Sequence, residues 1–251
     1  MHRFYLPPDR CREMTLQLSG REAHHALHVL RLKRGDSVTV LDGAGHEFLC
    51  QVETGSRNEL ALRVTRKDSM PPLPFQLTLF QSLPKGKIIE TIIQKAVELG
   101  ASRIVPLLTE RVVAHFGAEG AEAKRDKWQQ VAIEAAKQCG AAWLPDIEAP
   151  KALREILARR EPFDLSLVGS LQPGSRCPRA LFREFQARHG RPPRGVAIWI
   201  GPEGDFTLDE LEAIQAGGAL PVTLGPLTLR VETAAIYCLS VLNYELNSKD
   251  L

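Results

Sequence analysis

The stretch Val196-Ala197-Ile198-Trp199-Ile200-Gly201-Pro202-Glu203-Gly204-Asp205-Phe206 is an unbroken apolar run closed by a glycine-proline turn. A run without polar alternation suits a strand covered on both faces, which points to a parallel sheet. Gly201 and Gly204 leave the turn without Cβ atoms, so its backbone can approach a ligand closely. Thr207 stands three residues before Glu210, a capping-box spacing that opens a helix carrying Leu208, Leu211 and Ile214. The plan repeats after residues 221–224, where Leu224-Gly225-Pro226-Leu227-Thr228-Leu229-Arg230-Val231-Glu232-Thr233-Ala234-Ala235 leads into a predicted helix over 233–246. One such turn would be an ordinary connection. Two, the second carrying Arg230 and Glu232 in an otherwise apolar stretch, point to a small-molecule site.

Working outward, residues 75–224 alternate between strand and helix patterns. Strands are predicted at 75–81, 103–108, 164–169, 196–200 and 221–224, and helices at 87–99, 124–139, 179–189, 207–216 and 233–246. Such alternation predicts an α/β fold, a parallel sheet with helices on both faces. Before it, residues 36–64 read as short strands with tight turns at 42–45 and 55–58, the pattern of a small β-barrel. Residues 22–32 place Ala23, Ala26, Leu27 and Leu30 at helical spacing, with His24, His28 and Arg31 beside them. Ser69-Met-Pro-Pro-Leu-Pro is the best linker, which predicts domains at 1–70 and 71–251.

With 44% hydrophobic and 25% charged residues in 251, the chain reads as a folded globular protein. It shows neither a membrane-spanning apolar run nor a signal-peptide core at its start, so a cytoplasmic protein with no membrane partner is expected. Five widely spaced cysteines without a Cys-x-x-Cys pair predict reduced, mostly buried thiols and no metal. Residues 1–70 hold 11 Lys and Arg against 9 Asp and Glu, and the 176–194 segment has six arginines against Glu184, a local basic patch. No Gly-x-Gly-x-x-Gly or P-loop pattern follows the 75–81 strand, so phosphate cradling is not the theme of the glycine turns.

The two C-terminal turns closely resemble the signature of the RsmE family, which methylates N3 of a uridine in small-subunit (16S) ribosomal RNA. The resemblance continues through His28–Arg31, Gln81–Gly86, Gln94–Gly100, Pro106–Arg111 and Glu134–Gly140, in order along nearly the whole chain. Two departures stand out: Ala141 and Ala142 where the family usually has Arg, and Lys87 where it usually has an acid. The resemblance implies a SPOUT-type methyltransferase domain with a C-terminal trefoil knot, preceded by a PUA-like barrel that helps hold RNA. It implies S-adenosylmethionine as cofactor and a homodimer acting on small-subunit ribosomal RNA or the 30S subunit. An apolar cleft of backbone turns suits that cofactor, whose adenine can be read by main-chain groups. Carried over, the cofactor site comprises Leu167, Val168, Gly169, Ile200, Gly201, Pro202, Glu203, Gly204, Leu224, Gly225, Leu227, Leu229, Thr233 and Ala234. Arg230 and Glu232 are the catalytic candidates, since a guanidinium can stabilise charge building on the uracil and a carboxylate can orient it or accept a proton. His28, Arg31, Lys85 and Arg111 are the RNA-binding candidates. Methylation of a ribose 2′-hydroxyl or of transfer RNA, or a non-catalytic RNA-binding role, would leave the same signature and stay open at this point.

Overall fold

The computed structural model describes residues 1–56, 58–112 and 117–248; Arg57, in the turn expected at 55–58, lies outside them. The chain divides into two compact units, Met1–Pro72 with Ile133–Leu144, and Leu73–Ala132 with Pro145–Leu251.

In the N-terminal unit, β1 (His2–Tyr5), β2 (Thr15–Ser19), β3 (Ser37–Leu41), β4 (His46–Gly55) and β5 (Glu59–Ser69) form one sheet in the order β1-β3-β4-β5-β2. Only β1 and β3 run parallel, and β4 is irregular against β5 at two places, where a strand must bend. Inward residues of period two, such as Leu60, Leu62 and Val64, meet Phe4, Leu16, Leu18, Val38, Val40 and Cys50 in one core. The helical pattern at 22–32 yields one α-turn, α1 (Gly20–His24), that widens into a π-turn over His25–Val29 and stops at Arg31 with φ 53°. Residues 133–144 join this unit through specific bonds. Arg3 Nη1 donates to the carbonyls of Lys137 and Gln138, capping a helix C-terminus, and the buried Lys137 ammonium lies 2.7 Å from Glu22. Trp143 Nε1 donates to the Met70 carbonyl.

The C-terminal unit is built from β6 (Gln76–Ser82), α2 (Ile88–Glu98), β7 (Arg103–Leu108), most of α3 (Ala118–Cys139), β8 (Asp146–Ile147), β9 (Lys151–Ala152) and α4 (Leu153–Ala158), followed by β10 (Leu165–Gly169), α5 (Pro178–His189), β11 (Gly195–Ile200), α6 (Leu208–Ala216), β12 (Leu220–Val222) and α7 (Val231–Asn247). Its sheet runs β12-β10-β11-β6-β7-β8, every described pairing is parallel, and β9 also pairs with β7. The apolar runs explain the central strands: Val196 through Ile200 are all buried. Phe80 on β6 stacks on Trp199 with ring centroids 3.8 Å apart, a pairing worth about 1 kcal/mol beyond its area. Trp199 Nε1 is satisfied by Ser166 Oγ. Four of the six arginines in the 176–194 segment are ion-paired. Arg176 and Arg188 pair with Glu184, Arg191 with Asp164, and Arg179 with the buried Glu245. No helix among the described residues is long and apolar enough to cross a membrane.

Candidate active site

The C-terminal ends of β10 and β11 and the two glycine-proline turns close around a cleft of about 90 Å³. Ligands of parallel α/β sheets bind outside these strand ends, so the position follows from the topology. Its wall includes Gly169, Ile200, Gly201, Pro202, Glu203, Leu224, Leu227, Leu229 and Ala234, nine of the residues expected from the sequence. Leu167 and Val168 are instead fully buried inside β10, with Val168 packed in the core beside Trp199. Gly204, Gly225 and Thr233 do not line the cleft; Gly204 lies against the Arg111 side chain and Gly225 turns the chain at φ 106°. Ser170, Leu171, Asp205, Thr228 and Val231 complete the wall. Ser170 continues the 167–169 strand end. No periodicity singles out the other four, although an Asp beside a turn glycine is a residue type that tolerates the φ of 63° seen at Asp205.

Three side chains fix the turn after β11. Glu203 Oε1 accepts from the Lys85 backbone N–H at 2.8 Å. Arg111 Nη1 donates to the Gly204 carbonyl and, at 3.4 Å, to that of Asp205. The buried Glu210 carboxylate completes the expected capping box with Thr207 and spends its other oxygen on the Glu110 N–H at 2.9 Å. Gly201 is required by this packing: a Cβ there would sit 2.9 Å from Asp205 Oδ1 and 3.0 Å from the Phe206 nitrogen. A side chain at 201 therefore strains the turn itself.

Arg230 is the N-cap of α7, exposed between the lining residues Leu229 and Val231, and no hydrogen bond or ion pair engages its side chain among the described residues. Glu232 lies in the first turn of α7, where a carboxylate is favoured by the helix dipole, and makes no ion pair with Arg230. In the N-terminal unit, His28 and Arg31 are exposed, with the His28 ring 4.9 Å from that of His24.

Among the described residues the cleft carries two carboxylates, Glu203 and Asp205, and no cation. That charge suits a cationic or neutral ligand and disfavours a phosphorylated one. A larger cavity of about 770 Å³ lies at the opposite end of β10, and three of its polar side chains are committed: Glu161 to Arg103, Asp164 to Arg191, and Ser166 to Trp199.

Parallel sheet, strand-end cleft and uncommitted arginine define a class. Residues 71–243 match the RNA methyltransferase domain family, and residues 18–65 match the RNA methyltransferase PUA domain family. Among curated proteins, the chain is 30% identical to Ribosomal RNA small subunit methyltransferase E of Bacillus subtilis, over 92% of this chain and 90% of that one. Against the Synechocystis protein of the same name the identity is 32%, over 98% and 78%. A Legionella pneumophila methyltransferase solved with its bound cofactor SAM superimposes with a TM-score of 0.85 at 32% identity, over 96% of both chains. Ribosomal RNA small subunit methyltransferase E of Neisseria gonorrhoeae, solved bound to S-adenosyl methionine, gives 0.83 at 26% over 97% of both. The chain belongs to the ribosomal RNA small subunit methyltransferase E (RsmE) family.

Proposed function

We propose that this protein methylates 16S ribosomal RNA with S-adenosylmethionine, at N3 of a uridine. The observation that carries the reading is the cleft at the ends of β10 and β11, acidic and apolar, with the unpaired Arg230 at its edge. The cofactor fits that lining: Glu203 and Asp205 tolerate a sulfonium, and Leu224, Leu227, Leu229 and Ala234 offer apolar walls to an adenine. Bound there, S-adenosylmethionine supplies an electrophilic methyl group.

The protein's own work is alignment and charge management. Arg230 donates to the uracil carbonyl on which negative charge gathers as the N3 proton leaves, and Glu232 takes that proton. Glu203, Arg111 and Glu210 hold the turn after β11 rigid, so that acceptor and donor keep a fixed separation. His28 and Arg31 in domain 1–70, with Lys85 in domain 71–251, hold the RNA, while Arg111, expected to share that role, adds charge with its guanidinium bound to the turn carbonyls. The strand order β12-β10-β11 supports a knotted C-terminus. A homodimer through α7 is supported by Tyr237 and Tyr244, seven residues apart on one helix face and 46% and 66% exposed.

The test is mass spectrometry of nucleosides from small-subunit ribosomal RNA, offered free and as 30S particles, after incubation with labelled cofactor. Label in 3-methyluridine is expected. Label only in a 2′-O-methyl nucleoside, or none at all, would overturn the reading. Light scattering is expected to give twice the chain mass.

A further inference from the structure

A second cavity, of about 470 Å³, borders the cofactor cleft, and the two share Glu203 as a wall residue. It lies between the turn after β6, the end of β7 and α3. Its charged lining is Lys85, Lys87, Arg111, Lys124 and Lys127 against Glu90 and Glu203. Among the described residues cations outnumber carboxylates five to two, with Lys124 itself engaged. Both carboxylates are occupied: Glu90 Oε1 lies 2.6 Å from Lys127 Nζ, and Glu203 Oε1 accepts from the Lys85 N–H. α2 begins here, with Lys87 and Ile89 in the wall and no side chain capping its N-terminus, so the positive end of its dipole adds to the same field. Gly86, at φ 68°, turns the chain into that helix, and nothing lies within 4 Å of the position its Cβ would take.

The two neighbouring cavities thus have opposite electrostatic character. Among the described residues the cofactor cleft contains carboxylates and no cation, whereas cations outnumber carboxylates in the adjoining cavity. A substrate with a neutral base on an anionic backbone divides in the same way. We propose that this cavity seats the backbone phosphate next to the target nucleotide, so that Lys85, Lys87 and the start of α2 hold the strand while the base enters beside Glu203. The inference rests on the reading of the chain as an RNA methyltransferase and adds where the strand runs. Arg111 contributes charge, but its guanidinium is already bound to the Gly204 and Asp205 carbonyls, so Lys85 and Lys87, both exposed, are the groups that engage phosphate.

The experiment uses the full chain and a single-stranded RNA oligonucleotide carrying the methylated uridine's sequence context. Affinity is measured against salt for the wild type, for Lys85→Gln/Lys87→Gln, and for Arg183→Gln/Arg188→Gln on α5 as an equal charge change elsewhere. Each lost phosphate contact lowers the slope of log K against log salt by about 0.7 for a single strand. The lysine pair is expected to lose about that much or twice it, with cofactor affinity unchanged within about twofold, and the arginine pair to lose none. Equal losses in both variants, or none in the lysine pair, would overturn the proposal. A second measurement does not depend on how the variants fold: a methylphosphonate at either linkage flanking the target uridine should weaken binding to the wild-type protein. No effect at both linkages sinks the proposal. The failures are separable, because methylation intact with an unchanged slope refutes this cavity alone, whereas a changed slope without methylated uridine refutes the enzymatic reading and leaves the anion site.

Discussion

Glu203 Oε1 accepts a hydrogen bond from the Lys85 backbone N–H at 2.8 Å, joining the turn after β11 to the turn after β6 across 118 residues of sequence. A hydrogen bond to a charged acceptor contributes on the order of 1.5 to 3 kcal/mol, less where solvent reaches it. Glu203→Ala is therefore expected to weaken S-adenosylmethionine binding about tenfold, and Glu203→Gln, whose amide oxygen still accepts, to recover most of it. Titration calorimetry decides; an alanine variant that binds as tightly as the wild type would show the tie to be irrelevant.

Ala234 lines the cleft from the first turn of α7. Ala234→Phe is expected to reduce cofactor affinity by two orders of magnitude or more with little loss of thermal stability. Gly201→Val should lower both, because its Cβ would collide with Asp205 and Phe206. Paired calorimetry and thermal melts separate the two effects, and wild-type affinity in Ala234→Phe would disprove the assignment of the cleft.

Arg230 has no structural partner to lose among the described residues, so Arg230→Ala tests chemistry directly. Removal of one preorganised donor from a developing anion costs on the order of a hundredfold to a thousandfold in rate. Single-turnover methylation should fall by that range with cofactor affinity preserved, and Arg230→Lys should recover part of the rate. An alanine variant at wild-type rate removes Arg230 from the mechanism.

Asp164 accepts from Arg191 and from the backbone N–H groups of Arg194 and Gly195, at the entry to β11. The Arg191 guanidinium, against a smaller opposing effect of burial and with help from those N–H groups, holds its carboxyl well below the usual carboxylate range. A depressed folded-state pKa means stability that is fully present above the unfolded value, about 3.9, and lost as pH falls toward the folded one. Asp164→Asn should therefore cost about 1 kcal/mol at pH 7 and progressively less below about pH 4. Urea midpoints at both pH values provide the check; a difference that stays constant with pH would contradict it.

Cys139 and Cys177 are exposed, whereas Cys11, Cys50 and Cys238 are buried. Burial pushes the thiols of Cys11 up to about 11 and of Cys50 and Cys238 to about 12, and it is the thiolate that reacts. A chromogenic disulfide reagent should titrate two thiols rapidly in the native protein and all five after denaturation. Rapid reaction of a third native thiol would contradict the packing.

The residues themselves determined most of the fold and half of the site. The apolar run before Gly201 read as a strand covered on both faces, and its residues are buried in the middle of the parallel sheet. The Thr207–Glu210 spacing formed its capping box because that signal is local. Nine of the lining residues were legible through the family resemblance that the two glycine-proline turns carry, because those turns are local motifs. What only the tertiary structure decided is long-range. Leu167 and Val168 are as apolar as the lining leucines, yet both lie inside a strand covered on both faces, short of the end where the cleft opens. Residues 133–144 continue a regular helix, and nothing in their period announces that Arg3 and Glu22 will draw them to the N-terminal unit. The basic cavity takes its lysines from α3 and from the turn after β6, and its wall at Glu203 from the turn after β11. Periodicity records which way a side chain faces within one element; which charges converge depends on how the strands are ordered, and that is fixed only when the sheet closes its core.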